Sequence, residues 1–103
     1  MDSSQSSAFA VSGVRYDSNR CRLYKVRVHR VRAGSVDPPM DVPRSVIVNA
    51  LEFGTTFMAI TLAAGGRYTA HALVRLVEVD GETFLRCDAD PLPVDDLLGV
   101  LEF

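Results

Sequence analysis

The sequence predicts an α+β fold: a small antiparallel five-stranded sheet in the order β-β-α-β-β-β, one helix packed on it, and an extended C-terminal tail. Three observations carry this expectation. Apolar and basic residues alternate from Tyr24 to His29, as in a half-buried strand. Val46, Ile47, Ala50 and Leu51 share one face of a helical wheel, between a proline-rich stretch and Gly54. Asp80-Gly81 separates two strand-like runs and suits a type I′ turn, whose two central residues both need positive φ.

Taken in order, residues 1–7 (MDSSQSS) read as a disordered leader, with neither the basic start nor the apolar stretch of a signal peptide. Residues 8–103 then form one domain. Ala8 to Tyr16 is the first strand, and Asp17-Ser18-Asn19-Arg20 a polar turn of residues that hydrogen-bond their own backbone. Cys21 to Val31 is the second strand. Tyr24, Val26 and Val28 face the core, and Lys25, Arg27 and His29 face water. Ala33 to Arg44 holds three prolines and reads as a loop. The helix runs from Pro43 to Phe53. Its cap is Ser45, or Asp41 with Pro43 in the first turn, and Gly54 closes it because positive φ costs glycine little. Thr55 to Leu62 is the third strand, followed by a turn at Ala63-Ala64-Gly65-Gly66. Arg67 to Val79 is a long fourth strand with a bend near Leu76-Val77, where its alternation changes phase. Glu82 to Asp88 is the fifth. The proline-punctuated tail should lay Leu97, Leu98 and Leu101 on the core, with Asp95 capping the turn before them.

Composition limits the function classes. The chain has 103 residues, 48% hydrophobic and 23% charged, the make-up of one globular domain with its own core. No apolar run reaches the roughly 20 residues of a membrane span, so no membrane partner is expected, and a leader that is not a signal peptide favours the cytoplasm. Cys21 and Cys87 form no CxxC pair and read as reduced core thiols. Eight of the eleven basic residues fall between Arg15 and Arg44, and eight of the thirteen acidic residues fall from Glu78 onward. These segments either lie side by side and pair, or leave a basic face for an anionic partner.

Several motifs together resemble the family catalogued as domain of unknown function 3892, small proteins of bacteria and phages. Val14-Arg15-Tyr16-Asp17 and Lys25-Val26-Arg27-Val28-His29 carry the N-terminal part. Arg44, Val46-Ile47, Leu51, Gly54 and Phe57 carry the middle. Val79-Asp80-Gly81-Glu82, Phe84-Leu85-Arg86, Asp88, Asp95, Leu97 and Glu102-Phe103 carry the end. The chain departs from the family at Pro43, Asp96 and Val100-Leu101, where the family has Ser, Asn and Leu-Pro. The resemblance implies the same fold and brings no activity.

The residues point away from catalysis. His29 and His71 sit mid-strand without a local nucleophile signature. Asp88, Asp90, Asp95 and Asp96 lack the spacing of a calcium loop, and Gly65-Gly66 is followed by a strand rather than by Lys-Ser/Thr. No metal or cofactor is expected. The expectation is therefore a non-enzymatic interaction module that binds another protein. The alternative is an anion or nucleic-acid binder using Lys25, Arg27 and His29 on the first hairpin. Arg44 falls at the rim of the apolar helix face. There its planar fork should hold a carboxylate of the acidic segment, Asp88 or Asp95, as a structural ion pair.

Overall fold

The computed structural model describes residues 8–32, 35–63, 65, 67–88, 92–97 and 99–103. The leader, Ala64, Gly66, Asp90 and Leu98 lie outside the described residues. Its elements are β1 (Ala8–Tyr16), β2 (Leu23–Arg32), β3 (Ser35–Val36), β4 (Met40–Pro43), α1 (Arg44–Glu52), β5 (Thr56–Leu62), β6 (Tyr68–Leu73), β7 (Arg75–Val79), β8 (Glu82–Arg86) and β9 (Leu101–Glu102). The fold is α+β. The main sheet is mixed, in the order β3-β2-β1-β5-β6, with β4 also on β2 and β9 also on β1, and β7-β8 form a second sheet.

The expected all-antiparallel sheet is corrected at β5, which runs parallel to β1. The cause is β4, a strand inside what reads as a proline-rich loop. It pairs antiparallel to β2 from Lys25↔Pro43 to Val28↔Met40 and so points the same way as β1. Helix α1 then acts as a crossover, and β5 re-enters in the same direction.

The helix begins at Arg44 with Pro43 as its N-cap, and no side chain caps it. Ser45 and Asp41 are thus not caps; the Asp41 carboxylate is held by Arg27 instead. The C-terminal end is a Schellman motif, in which Gly54 N–H bonds Leu51 O, Thr55 N–H bonds Ala50 O, and Gly54 adopts φ 91°.

The long fourth strand is cut in two at Val74. Its N–H stays on Phe57 O while its side chain enters the core, and the chain then leaves for the second sheet. The β7-β8 hairpin turns on Asp80 and Gly81, at φ 52° and 82°. The core joins the two sheets and the helix through Val11, Val14, Val26, Val28, Ile47, Phe57, Val74, Leu85 and Leu97.

Three register slips break the simple alternation. β1 pairs Val11↔Val28 and then Gly13↔Arg27, which leaves Ser12 as an extra residue. β2 likewise passes over Tyr24, between Arg15↔Lys25 and Tyr16↔Leu23. β6 passes over His71, between Ala59↔Ala72 and Ile60↔Ala70. A bulge re-aims the side chains around it. Tyr24 is therefore 61% exposed instead of facing the core, and Leu23 is buried in its place. The tail is corrected too. Leu97 is buried, but Leu101 points outward because β9 joins the edge of β1 and does not lie on the core. No helix among the described residues is long and apolar enough to cross a membrane.

Candidate functional site

Among the described residues, the main sheet carries a concave site on each face. On β2, Val28 lines one, and its neighbours Arg27 and His29 line the other.

The first is an apolar groove of about 170 Å³ between α1 and the strands beneath it. Phe9, Met40, Val42, Val46, Ala50 and Phe57 line it, with the Phe9 and Phe57 rings stacked at 5.4 Å. The helix supplies its rim. Ile47 points inward and is buried. Val46, Ala50 and Phe53 follow at i, i+4 and i+7, a second stripe in which Ala50 packs partly on the core and Val46 and Phe53 stay exposed. Phe53 is 91% exposed, Met40 56% and Val46 45%. The expectation that Val46 packs inward with Ile47 is thus corrected, since the nine-residue helix presents only a narrow strip to the sheet.

The second site is a cleft of about 560 Å³ where β5 splays away from β1 and the tail takes over. Ser12, Gly13, Arg27, His29, Thr61 and Leu101 are among its walls. The bulge at Ser12 brings its Oγ to 2.6 Å from His29 Nε2, and His29 Nδ1 lies 2.7 Å from the Asp37 carbonyl oxygen. A carbonyl only accepts, so Nδ1 carries a proton; in the neutral ring, Nε2 then accepts from Ser12. The bulge at His71 likewise brings Nε2 onto Thr61 Oγ1. Hydroxyl, imidazole and an orienting acceptor are the parts of an activated nucleophile. Here His29 and Ser12 are both buried, so the pair satisfies two buried polar groups and offers little of the Oγ to an incoming atom.

The basic stripe divides. Lys25 lies beside the Tyr24 ring. Arg27 grips Asp41 with two hydrogen bonds of 2.9 and 3.2 Å and lies 4.1 Å over the Phe103 ring. The Arg27 guanidinium in turn holds the Asp41 carboxyl below the ordinary carboxylate range. His29, expected in water, is buried between Ser12 and Asp37. The two charged segments do meet at Arg20–Glu102, Arg22–Glu82 and Arg44–Asp95, but Arg27–Asp41 and Arg32–Asp37 pair within the basic segment.

Arg44 reaches Asp95 through Nε at 2.7 Å and Nη2 at 3.1 Å, and Nη2 also donates to Thr83 O. The Asp95 carboxylate further accepts the N–H groups of Leu23 and Leu85 at 2.7 and 2.8 Å. One buried side chain thus ties α1, β2, β8 and the tail together. Asp88 is held by Arg86, Nε to Oδ1 at 2.7 Å and Nη2 to Oδ2 at 3.0 Å.

Among the described residues no three His, Cys, Asp or Glu side chains gather as metal ligands do. The thiols are not both core residues. Cys21 is exposed because it closes the first turn, its N–H on Asp17 Oδ1. Cys87 is half-buried, and burial pushes its thiol up, away from the reactive thiolate. Burial likewise raises Tyr16, whose hydroxyl accepts the Leu97 N–H.

Sequence reasoning missed the Ser12–His29 and Thr61–His71 pairs, because a bulge leaves no mark on residue spacing. It also missed the exposure of Phe53, although the wheel places Phe53 with Val46 rather than with Leu51. No family model, no curated protein and no solved structure matches this chain.

Proposed function

We propose that the protein is a non-enzymatic interaction module whose partner is another protein, with an apolar side chain of the partner seated in the groove beside α1. The observation that carries this is the exposure of Met40 and Val46 on the rim of an apolar groove, with the exposed Phe53 further along the Val46 side of the helix. Contiguous exposed apolar surface of this kind marks interaction sites, and exposed aromatics are favoured anchors. The anion or nucleic-acid reading has less support. Arg27 is committed to Asp41 and Phe103 and His29 is buried, which leaves Lys25 as the open member of the stripe. We place the module in the cytoplasm, on its two free thiols.

The test is affinity capture from the native cell with the full chain and with Phe53→Asp and Met40→Asp. Both substitutions should abolish capture of the same partner while leaving the melting temperature unchanged, and capture by the unaltered chain should be insensitive to salt. Equal capture by all three chains would remove the groove from the reading. Steep salt dependence, with loss on Lys25→Glu, would favour the anionic partner.

A further inference from the structure

The edge of β1 is shared. Its first half, Ala8–Val11, pairs with β5, and Gly13 and Val14 pair with β9. The β9 position is a built receptor for one short sequence. Phe103 N–H bonds Val14 O at 2.9 Å, and Arg15 Nε donates to Phe103 O at 2.9 Å. Arg15 and Arg27 cover the Phe103 ring at 5.2 and 4.1 Å. Arg20 forks onto Glu102 with two bonds of 2.8 Å. Basic side chains thus read an acidic and then an aromatic residue on an added strand, the mode in which an extended segment completes a sheet edge.

The occupant is lightly held. β9 is two residues long, Leu101 is 70% exposed, and the Arg20–Glu102 fork lies in solvent. Upstream, Leu97 is buried and its N–H is bonded, so the segment is anchored there and turns at Gly99, which has φ 84°.

We infer that this edge is a strand-exchange site, and that its second occupant is the Gly99–Phe103 segment of another copy of the chain. The charge complementarity that fits the segment in cis fits it equally in trans. Five extended residues reach at most about 17 Å, so two copies exchanging segments would lie with their β1 edges facing one another. Exchange of an identical element is a low-cost route to a dimer. The site lies on the face opposite the groove, and the inference stands or falls independently of the proposed partner.

Two full-length variants test it. An acceptor, Glu102→Lys with Phe103→Ala, spoils the segment and keeps the receptor. A donor, Arg15→Ala with Arg20→Glu, spoils the receptor and keeps the segment. Each alone should run at monomer mass by light scattering. Mixed, they should form a 1:1 complex at twice that mass, and the synthetic peptide Gly-Val-Leu-Glu-Phe should compete it away. If either variant melts early, the single substitutions R20E and E102K, both at exposed positions, repeat the test. A mixture that stays monomeric while the acceptor shifts its Gly13 and Val14 amide resonances with the peptide would overturn the second copy as occupant. A mixture that stays monomeric with no response to the peptide would overturn exchange altogether and make β9 a fixed strap.

Discussion

Arg44–Asp95 and Arg20–Glu102 are the same chemical object in two settings. Each is an arginine fork on a carboxylate, with contacts of 2.7 and 3.1 Å in the first and 2.8 Å twice in the second. Side-chain exposure is 22% and 0% in the first pair and 62% and 50% in the second. Contact length therefore says little about weight. Asp95 is removed from water and must be satisfied by what surrounds it, namely the Leu23 and Leu85 N–H groups as well as Arg44. Glu102 keeps its access to water and gains little by leaving it.

The largest expected effect follows from the first setting. Asp95→Asn keeps the shape, removes the charge and puts an amide NH₂ where donors converge. It should cost about 3–5 kcal/mol in urea denaturation, the range for breaking a buried pair. A cost below about 1 kcal/mol would mean that the two settings do not differ. Next comes Ile47→Ala on the same side of the sheet, expected to cost roughly 2–5 kcal/mol as a buried aliphatic truncation. It checks that α1 is held by packing as well as by Arg44. Arg44→Lys retains charge but loses the fork, and should cost roughly 1–3 kcal/mol for the acceptor sites left unfilled. A double-mutant cycle with Asp95 should show coupling above the roughly 0.2–1 kcal/mol of exposed pairs.

At the small end stands pH. Arg20 holds the Glu102 carboxyl below the ordinary carboxylate range, and Arg27 does the same for Asp41. A depressed folded pKa contributes stability above the unfolded value, about 4 for such groups. That contribution is lost as pH falls through the lowered folded value. An NMR titration should find the Glu102 midpoint below that of an unfolded peptide, and Arg20→Ala should restore it with no resolvable change in melting temperature. An unshifted midpoint in the unaltered chain would show the fork to be open in solution.

Some of this was legible in residues. The Asp80-Gly81 turn could be read because I′ geometry admits few residue types, and the Gly54 helix end because positive φ does the same. The rim position of Arg44 could be read because a helical wheel is geometric. The direction of β5 could not, since parallel and antiparallel strands share the same period of two. It hung on β4, four residues ending in a proline that only an edge strand tolerates. The bulges at Ser12, Tyr24 and His71 shift phase without changing composition. The alternation therefore pointed to the wrong environment for Tyr24, while His29 does lie on the face opposite Val28 and is buried there because Ser12 and Asp37 cover it. Nor did the motifs show that the tail would add to an edge, because a two-residue strand has no pattern of its own.

The shared edge of β1 also has a consequence for biosynthesis. β1 is central in the main sheet, and its neighbours are made at very different times after it: β2 at once, β5 after the helix, β9 only when residues 101 and 102 exist. The Leu23 N–H waits nearly as long, until Asp95 is made. A ribosome adding roughly 5–20 residues per second holds the N-terminal hairpin for several seconds with a bare backbone edge and an unmet donor. The hairpin alone therefore cannot be a finished folding unit. Synthesis of residues 101 and 102, not of the hairpin, sets when the β1 edge can close.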